Sequence, residues 1–395
     1  MSKGRIHYRR FGSYLTNRRS GQIIPKGTVR HLSCSHGSQN MAAASIAIVG
    51  TGHIGPRHAA SVVKSQNAKL QCFVDPARHA RAIADEFGVQ LFSSVQQMLN
   101  DGCRPDAAIV CTPNKTHVAV STELLHHGIH VLVEKPMSTS IADGLELINA
   151  AESSRCKLLV GHHRRFNPYV TATKRALEAG AVGKRIAVSG IWALCKPQSY
   201  FEPPTEWRTK PDGGGPVFIN MIHEVDILQY LFGPINRVHA ERTASQRGYE
   251  VEEGAAILLR FTSGLVGTFV LSDNTPSPHN FENGTGENPI IPHTGHDFYR
   301  IFGTRSTLSI GDMKLRGYSA TEKGWSSDIE ESSFAVGEEV PFDEQIEHFV
   351  RVVKAEEQPR CSGLDGLRAL VVCDATKRAL DKEDGVVDID IDLRE

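Results

Sequence analysis

Apolar runs alternate with amphipathic stretches between about residues 45 and 161. Apolar runs of the length of buried strands occur at Ile46–Val49, Leu70–Val74, Ala107–Cys111, His130–Val133 and Lys157–Val160. Stretches between them carry apolar residues every three or four positions, which is typical of helices, at Arg78–Phe87, Ser94–Asn100, Thr116–His127 and Ile141–Ser153. This alternation predicts a parallel, doubly wound α/β sheet with right-handed crossovers.

The pattern changes after residue 161, which we take as the end of the first domain. Helices are predicted at Pro168–Ala179, Val217–Phe232, Phe342–Lys354 and Leu364–Leu380, and strands at Arg185–Leu194, Arg237–Thr243, Ala255–Thr262, Leu265–Ser272, Phe298–Phe302 and Thr307–Ile310. Ser263-Gly264 predicts a two-residue hairpin turn, so we expect an antiparallel sheet in a second α/β domain over residues 162–395. The long polar segment Asp273–His296 is interpreted as an active-site loop.

Composition narrows the class of protein. The chain has 395 residues, of which 40% are hydrophobic, and this length predicts two domains with conventional cores. A formal net charge of -1 argues against nucleic acid as a partner. Since no apolar run reaches roughly 18 residues, we expect no membrane-spanning segment. The eight cysteines form no Cys-x-x-Cys motif and no Cys/His pairing, so no metal site and no disulfide are expected.

Residues 1–44 differ from the rest because they contain eight Lys or Arg and no acidic residue. We interpret them as a basic extension outside the fold, expected to be disordered. One interpretation is a mitochondrial transit peptide, in which Ile6–Leu15 forms a short amphipathic helix. The other is that Met41 is the natural start, since a first strand often begins a few residues after Met. A cytoplasmic location is expected, with the mitochondrion as the alternative.

A glycine-rich turn follows the first predicted strand with the spacing Gly-x-Gly-x-x-Gly. Gly50 allows the tight turn, Gly52 lets backbone N–H groups approach a pyrophosphate, and Gly55 lets the next helix pack closely on the strand. The helix N-terminus then faces the phosphates. We therefore predict a dinucleotide-binding site here, to which His53 and Ile54 within the turn also belong.

Asp75 ends the second predicted strand, twenty residues after the glycine turn. A carboxylate there accepts hydrogen bonds from ribose hydroxyls and repels a 2′-phosphate, which favours NAD over NADP. Arg78 lies three residues further on and could instead neutralise a 2′-phosphate, so NADP stays open as the cofactor. The alternative interpretation of Asp75 is a solvated carboxylate at a strand end.

Two further motifs follow predicted parallel strands. Thr112, Pro113 and Asn114 come after the predicted strand Ala107–Cys111, and Glu134-Lys135-Pro136 comes after His130–Val133. Ligands bind at the carboxyl ends of the strands in open α/β sheets, so both motifs are candidates for cofactor contacts. In the alternative interpretation, Glu134 and Lys135 only pair across a loop.

These motifs together resemble the glucose-fructose oxidoreductase and inositol dehydrogenase family (Gfo/Idh/MocA), over roughly residues 45–381. The similarity lies in Ile46–Gly55, Thr112-Pro113-Asn114 with His117, Gly128–Pro136, and Gly213-Gly-Gly-Pro216 with His223 and Asp226. It implies a nicotinamide-binding Rossmann domain joined to an α/β domain. The open, mostly antiparallel sheet of the second domain would then form the substrate face and an interface of a homo-oligomer.

The resemblance also implies that Lys135 is catalytic and that His223 assists it. The chemistry of the reaction agrees with this role for Lys135. A carbinol loses hydride only as its hydroxyl proton leaves, so the reaction needs a base. Desolvation and nearby positive charge lower a lysine pKa from ~10.4 towards roughly 7 to 8, which makes lysine a workable base. The family commonly places an Asp four residues before the His, but this chain has Ile219 there. Asn220 is a candidate polar contact that cannot replace the charge.

Several other residues are candidates for binding a small-molecule substrate. Arg164 and Arg165, at the junction of the predicted domains, could bind an anionic substrate or could form salt bridges between the domains. The remaining candidates are Asn167, Trp207, Arg208, Asn220, His223 and Tyr299.

The predicted function is an NAD(P)-dependent oxidoreductase that transfers hydride between the nicotinamide and a secondary alcohol or carbonyl. The substrate would be a sugar, polyol or cyclic hydroxy acid. Two alternatives stay open: a non-catalytic NAD(P)-binding regulator, and a reductase of an imine or a conjugated double bond. Retention of Lys135 and His223 argues against the regulator.

Overall fold

The computed structural model describes residues 42–319 and 324–392, so the extension up to Met41, with its predicted helix, lies outside the described residues. The first sheet contains six parallel strands in the order β3-β2-β1-β4-β5-β6. These are β1 Ala44–Val49, β2 Ala68–Val74, β3 Gln90–Phe92, β4 Ala107–Val110, β5 His130–Val133 and β6 Leu158–Val160. The order reverses direction between β1 and β4, as in a doubly wound fold, which confirms the predicted class.

Helices cover both faces of this sheet, namely α1 Gly55–Lys64, α2 Ala80–Phe87, α3 Val95–Asn100, α4 His117–His126 and α5 Ile141–Ser153. Ser94 and Ser140 start α3 and α5, because each hydroxyl accepts a backbone N–H three residues later. Alternate residues of β1 point into different cores, with Ile46 and Ile48 on one face and Ala47 and Val49 on the other. The short strand β3 was not predicted, since three residues give almost no pattern.

The second sheet has nine strands in the order β14-β13-β12-β11-β7-β10-β9-β8-β15. Neighbours are antiparallel except β7 and β10, which are parallel. The strands are β7 Arg185–Ala193, β8 Ile235–Arg242, β9 Gly254–Phe261, β10 Val266–Ser272, β11 Tyr299–Gly303, β12 Ser306–Ile310, β13 Lys314–Tyr318, β14 Ile329–Ser333 and β15 Val386–Asp388. The mostly antiparallel prediction is confirmed, although β13, β14 and β15 were missed.

Five further helices accompany this sheet, namely α6 Pro168–Glu178, α7 Ile222–Phe232, α8 Phe281–Thr285, α9 Pro341–Val353 and α10 Gly363–Leu380. Helices α9 and α10 also pack against the first sheet and its helices. Ile346 and Phe349 of α9 share a core with Ile48 of β1, and α10 packs against α5 and β6. The chain therefore returns to its first half after completing most of the second sheet.

Two local predictions for this half need correction. The helix predicted from Val217 begins with one wide π-helical turn, Val217–Met221, before regular α7 starts. The hairpin between β9 and β10 has three residues outside the Phe261–Leu265 pair, not two. The N–H of Gly264 donates to the carbonyl of Phe261, and Gly264 has a φ of +83°. A three-residue hairpin loop is typically a type I turn followed by one left-handed residue, and Gly264 is that residue here.

The segment Asp273–His296 is packed against the end of β7 and against Phe298, the residue before β11. It contains α8, whose N-cap Asn280 is fully buried and donates to the carbonyl of Ala193 at 2.9 Å.

Among the described residues, no helix combines the length and the apolar character that crossing a membrane requires.

Candidate active site

The glycine turn has the geometry that its sequence predicts. Gly50 has a φ of +98°, and a Cβ there would lie 2.7 Å from the carbonyl carbon of Cys111. A Cβ on Gly55 would lie 2.1 Å from the carbonyl oxygen of Gly50, so no side chain fits between helix and strand. Gly52 is exposed with no atom within 4 Å of its Cβ position. The turn therefore leaves room at Gly52 for a pyrophosphate at the N-terminus of α1, beside exposed His53 and half-buried Ile54.

Asp75 is bonded to the same turn. Its Oδ2 accepts the backbone N–H and the hydroxyl of Thr51, both at 2.7 Å, and its Oδ1 accepts the N–H of Ala77 at 2.8 Å. Partial burial opposes ionisation, but these hydrogen bonds hold the pKa of Asp75 below its usual value. Arg78 is exposed. The carboxylate is thus an anion that also fixes the turn to the end of β2.

His117 joins the loops that follow β4 and β5. Its Nε2 lies 2.7 Å from the carbonyl oxygen of Thr112, and its Nδ1 lies 2.8 Å from that of Pro136. Burial lowers the pKa of His117, and a neutral imidazole donates from only one of these nitrogens. His117 therefore holds together the two loops that carry the other predicted cofactor contacts, including exposed Pro113 and half-buried Asn114.

Glu134 is buried at the end of β5, where its Oε1 lies 2.8 Å from Nε2 of His58 on α1. Burial opposes ionisation, yet the hydrogen bond and charge of His58 lower the pKa of Glu134 to about 2. A Cβ on Gly161 would lie 2.8 Å from the carboxylate, so β6 also closes over it. His58 was missed from sequence because its partner is 76 residues away.

Lys135 is half-buried, and its Nζ has no hydrogen-bond or ion-pair partner among residues 42–319 and 324–392. Burial and the positive charge of Arg164 lower the pKa of Lys135, while the Glu134 carboxylate works in the opposite direction. The structure does not support a simple Glu134–Lys135 pair across the loop, because the Glu134 side chain contacts only the Lys135 backbone N–H, at 3.2 Å. Lys135 is therefore a free amine at the carboxyl end of β5, and ligands bind at the carboxyl ends of the strands in open α/β sheets.

His223 lies on α7 with 8% of its surface exposed. Its Nδ1 is buried without a partner in the described structure, and its ring meets those of His162 and His163 edge-on, with centroids 6.2 and 5.8 Å away. Burial and the positive charges of Lys135 and Arg164 lower the pKa of His223 well below its usual value. His223 is consequently a neutral imidazole near neutral pH.

Both junction arginines are engaged with carboxylates inside the protein. Arg164 contacts Glu224 at 2.8 Å, Glu282 at 2.5 Å and Glu287 at 3.1 Å. Arg165 bonds both carboxylate oxygens of Asp226 and the carbonyl of Arg360. Both guanidinium groups are thus paired with carboxylates of residues 162–395, so these salt bridges lie within the second domain and not between the two domains, and binding of an anionic substrate by Arg164 or Arg165 stays a prediction.

Glu282 and Glu287 come from the 273–296 segment and were missed from sequence. Glu282 accepts the indole N–H of Trp192 at 2.9 Å, and Glu287 lies 3.2 Å from Nε2 of His163. Tyr299 is 1% exposed and donates its hydroxyl to Glu224, whose pKa burial raises to about 7. Tyr299 therefore supports this cluster instead of lining an open pocket.

The remaining candidates Asn167, Asn220, Trp207 and Arg208 have separate local contacts. Asn167 is buried and caps α6 by accepting the N–H of Tyr169, which gives it a structural role. Asn220 is half-buried and its Oδ1 accepts a hydrogen bond from Nζ of Lys196 at 2.7 Å. Trp207 is 43% exposed, and the Arg208 guanidinium lies 3.8 Å from the ring centroid of Tyr200. Lys196 was missed because it follows a strand without any recognisable motif.

These contacts link a set of residues, which we call the site ring. It runs through Lys196, Asn220, His223, His163, Arg164, Glu282 and Trp192. Successive members touch or adjoin along the chain, except Asn220 and His223, which lie three residues apart. The charges of Arg164, Glu282 and Glu287 act on the free amine of Lys135. Such a site can move a proton at Lys135 or His223 and holds fixed dipoles around a small polar molecule.

Comparison with known families gives two matches. The model described as "Oxidoreductase family, NAD-binding Rossmann fold" matches residues 44–162, and the one described as "Oxidoreductase family, C-terminal alpha/beta domain" matches residues 174–389. Among curated relatives, scyllo-inositol 2-dehydrogenase (NAD(+)) of Bacillus subtilis is 27% identical over 81% of this chain and 89% of its own. Inositol 2-dehydrogenase of Rhizobium meliloti is 24% identical over 84% and 96%.

Solved structures agree in fold. A putative NADPH-dependent oxidoreductase from Desulfitobacterium hafniense superimposes with a TM-score of 0.76 at 17% identity, covering 88% of this chain and 98% of its own. The WlbA dehydrogenase from Bordetella pertussis, in complex with NADH and UDP-GlcNAcA, gives 0.70 at 24% identity, covering 89% and 100%. At these identities the likeness concerns the fold alone.

Proposed function

Because the chain belongs to the Gfo/Idh/MocA oxidoreductase family, with an NAD-binding Rossmann fold and a C-terminal alpha/beta domain, we propose that it interconverts a secondary alcohol and a carbonyl with Lys135 as the acid/base. The substrate class is a sugar, polyol or cyclic hydroxy acid, which agrees with the inositol dehydrogenases among its relatives. The observation that carries the proposal is the free, half-buried amine of Lys135 at the carboxyl end of β5.

NAD, when bound, supplies the acceptor for the substrate hydride. Lys135 in its neutral form accepts the hydroxyl proton as the carbonyl develops, and its lowered pKa makes that form accessible. His223, a neutral imidazole, donates or accepts a hydrogen bond and orients the substrate. The buried Glu134–His58 contact fixes the loop from which Lys135 projects.

The residues present fit NAD better than NADP. Open space at Gly52 and the close packing at Gly50 and Gly55 suit a pyrophosphate, with His53, Ile54, Thr112, Pro113, Asn114, His117 and Glu134 as the other proposed contacts. The Asp75 carboxylate stays ionised and disfavours a 2′-phosphate. Arg78 is exposed three residues after Asp75 and is the residue that would lessen this preference.

We therefore expect the purified protein to reduce NAD in the presence of at least one compound from a panel of sugars, polyols and hydroxy acids. NAD should exceed NADP in kcat/KM by about tenfold, since losing one charge-assisted contact and gaining one repulsion costs on the order of 1–2 kcal/mol. Stopped-flow absorbance at 340 nm, with substrate deuterated at the carbinol carbon, measures the transfer.

Deuterium appearing in NADH identifies alcohol oxidation. Cofactor binding without transfer from any compound would instead support a regulator, and reduction of an imine or a conjugated double bond by NADH would support the third alternative. Either result contradicts the proposed chemistry.

We also propose that the second sheet mediates homo-oligomerisation and that the second domain, residues 162–395, serves this role as well as substrate binding. One face of the sheet is open and carries exposed apolar side chains at its centre, namely Leu258, Val266, Val270 and Phe302. Adjacent strands place Leu258 beside Thr268 and Val270 beside Ala256, so these residues share one surface. Exposed apolar patches of this kind mark interaction sites.

Placing charges on that surface should dissociate the oligomer. We expect Leu258→Asp combined with Val270→Asp to shift the protein to monomers in analytical ultracentrifugation, while Ile290→Asp, at an exposed loop position, leaves the mass unchanged. A wild-type protein that is already monomeric at micromolar concentration would contradict this proposal.

A further inference from the structure

A second buried lysine lies beside the proposed active site. Lys196 follows β7 and is only 8% exposed. Its Nζ lies 2.7 Å from Oδ1 of Asn220 and 3.4 Å from Oδ2 of Asp273. An ammonium group has three N–H donors, so these two contacts leave one donor without a hydrogen-bond acceptor, and the rings of Tyr200 and Trp192 are the other neighbours of Nζ. A buried lysine with a spare donor is an unusual feature, because its desolvation costs free energy unless a partner offsets it.

Lys196 belongs to the site ring on both sides. Asn220 lies three residues before His223, so the contact with Asn220 ties the lysine to the turn that leads into the helix of the proposed orienting imidazole. On the other side, Nζ lies 5.5 Å from the ring centroid of Trp192, whose indole N–H bonds Glu282. Glu282 pairs in turn with Arg164, a neighbour of Lys135. The two lysines are therefore on opposite parts of one site.

Arg208 is a further cation at the Lys196 end of the ring. Lys196 and Arg208 lie over the same Tyr200 ring, at 4.5 and 3.8 Å from its centroid. Asp273, the carboxylate that contacts Lys196, is also paired with Arg247 at 2.7 Å. Within the described ranges Arg208 forms no ion pair, and its Nε is buried without a hydrogen-bond partner. Lys196 and Arg247 thus share Asp273, while Glu282, the other carboxylate whose charge acts on Lys196, is paired with Arg164.

We propose that Lys196 and Asn220 bind a carboxylate of the substrate, which makes a sugar acid or another polyhydroxylated acid the preferred substrate over a neutral sugar or polyol. This inference rests on the proposed function. Lys196 contributes its spare N–H and its charge, and Nδ2 of Asn220 has no protein partner in the described structure and contributes two further donors. Arg208 adds long-range attraction. A neutral hydroxyl in place of the carboxylate would leave these donors poorly paired.

The test compares acid and neutral members of matched pairs. Isothermal titration of the NADH-loaded protein measures D-glucuronate against D-glucose, and D-galacturonate against D-galactose. We expect each acid to bind at least about tenfold more tightly than its neutral partner, the size of one charge-assisted hydrogen bond. Lys196→Met keeps the length of the side chain and should weaken acid binding by about 10- to 100-fold, with less than about threefold change for the sugars.

Lys174→Met is the matched control, because Lys174 is also a partly buried lysine over a tyrosine ring, 4.9 Å from the centroid of Tyr230. It should change neither affinity. Equal binding of acid and sugar, equal losses for both in Lys196→Met, or no measurable binding of either acid would overturn the inference.

Turnover of the same compounds with NAD is measured separately, so that the two proposals fail independently. Acid-selective binding that depends on Lys196 but gives no hydride transfer would support the subsite and contradict the proposed function. Hydride transfer from sugars without acid selectivity would do the reverse.

Discussion

Lys135→Ala should lower turnover by two or more orders of magnitude and leave NADH affinity within about threefold of wild type. The amine has no protein partner in the described structure, so its removal breaks no contact that supports the fold. What is lost is proton transfer from the reacting hydroxyl, a contribution of about 10²- to 10⁴-fold in enzymes that use it. Steady-state kinetics and fluorescence titration with NADH measure the two quantities.

Lys69→Ala is the control for the loss of a lysine as such. Lys69 is exposed on β2, towards the amino end of the strand and away from the edge that carries Lys135. Its replacement should leave both turnover and NADH affinity unchanged. A Lys135→Ala protein that keeps most of its turnover would remove Lys135 from the mechanism, whatever the state of the cofactor site.

Arg164→Met should have the largest effect on stability. The substitution leaves Glu224, Glu282 and Glu287 buried without their shared cation, and breaking buried pairs in this way costs about 3–5 kcal/mol of unfolding free energy. Without a cation, burial raises the pKa of these carboxylates above their pKa in the unfolded chain. The folded variant therefore loses stability as pH rises and the carboxylates ionise. The deficit should therefore grow from about pH 5 to about pH 8, measured by urea unfolding.

Arg237→Met is a matched control, because it removes an exposed arginine that pairs with exposed Asp388. Its unfolding midpoint should stay close to that of wild type at both pH values. A small, pH-independent loss for Arg164→Met would show that the carboxylate cluster does not depend on this guanidinium. If the variant does not accumulate as folded protein, Glu282→Gln in the wild-type background, which lowers the negative charge around Arg164, should give a smaller loss at the same site.

Local pattern was enough to predict most of what surrounds the cofactor site. Strands β1, β2, β4 and β5 are short and mostly apolar, and the alternation of such strands with helices was enough to predict a parallel sheet with right-handed crossovers. The glycine turn and Lys135 could be placed because each directly follows a buried strand. Polar edge strands such as β14, with all five residues exposed, carry no such pattern and were missed.

The other half of the site depends on contacts that no local pattern contains. Arg164 meets Glu282 across 118 residues, and Lys196 meets Asn220 because a strand end and a helix start adjoin in the folded chain. Sequence left two roles open for Arg164 and Arg165, and their carboxylate partners within the second domain could not be foreseen from either role. Tyr299 was assigned to the pocket from its position after the loop, but alternation along β11 turns it into the core.

The most direct test of Lys135 as the acid/base is the pH dependence of wild-type kcat/KM in both directions of the reaction. Alcohol oxidation needs neutral Lys135, so its rate should rise with pH and level off below ~10.4, the ordinary lysine pKa, because burial and Arg164 lower the pKa of this amine. Carbonyl reduction needs the ammonium form and should fall over the same interval. Profiles that are flat in both directions between about pH 6 and 10 would contradict the mechanism.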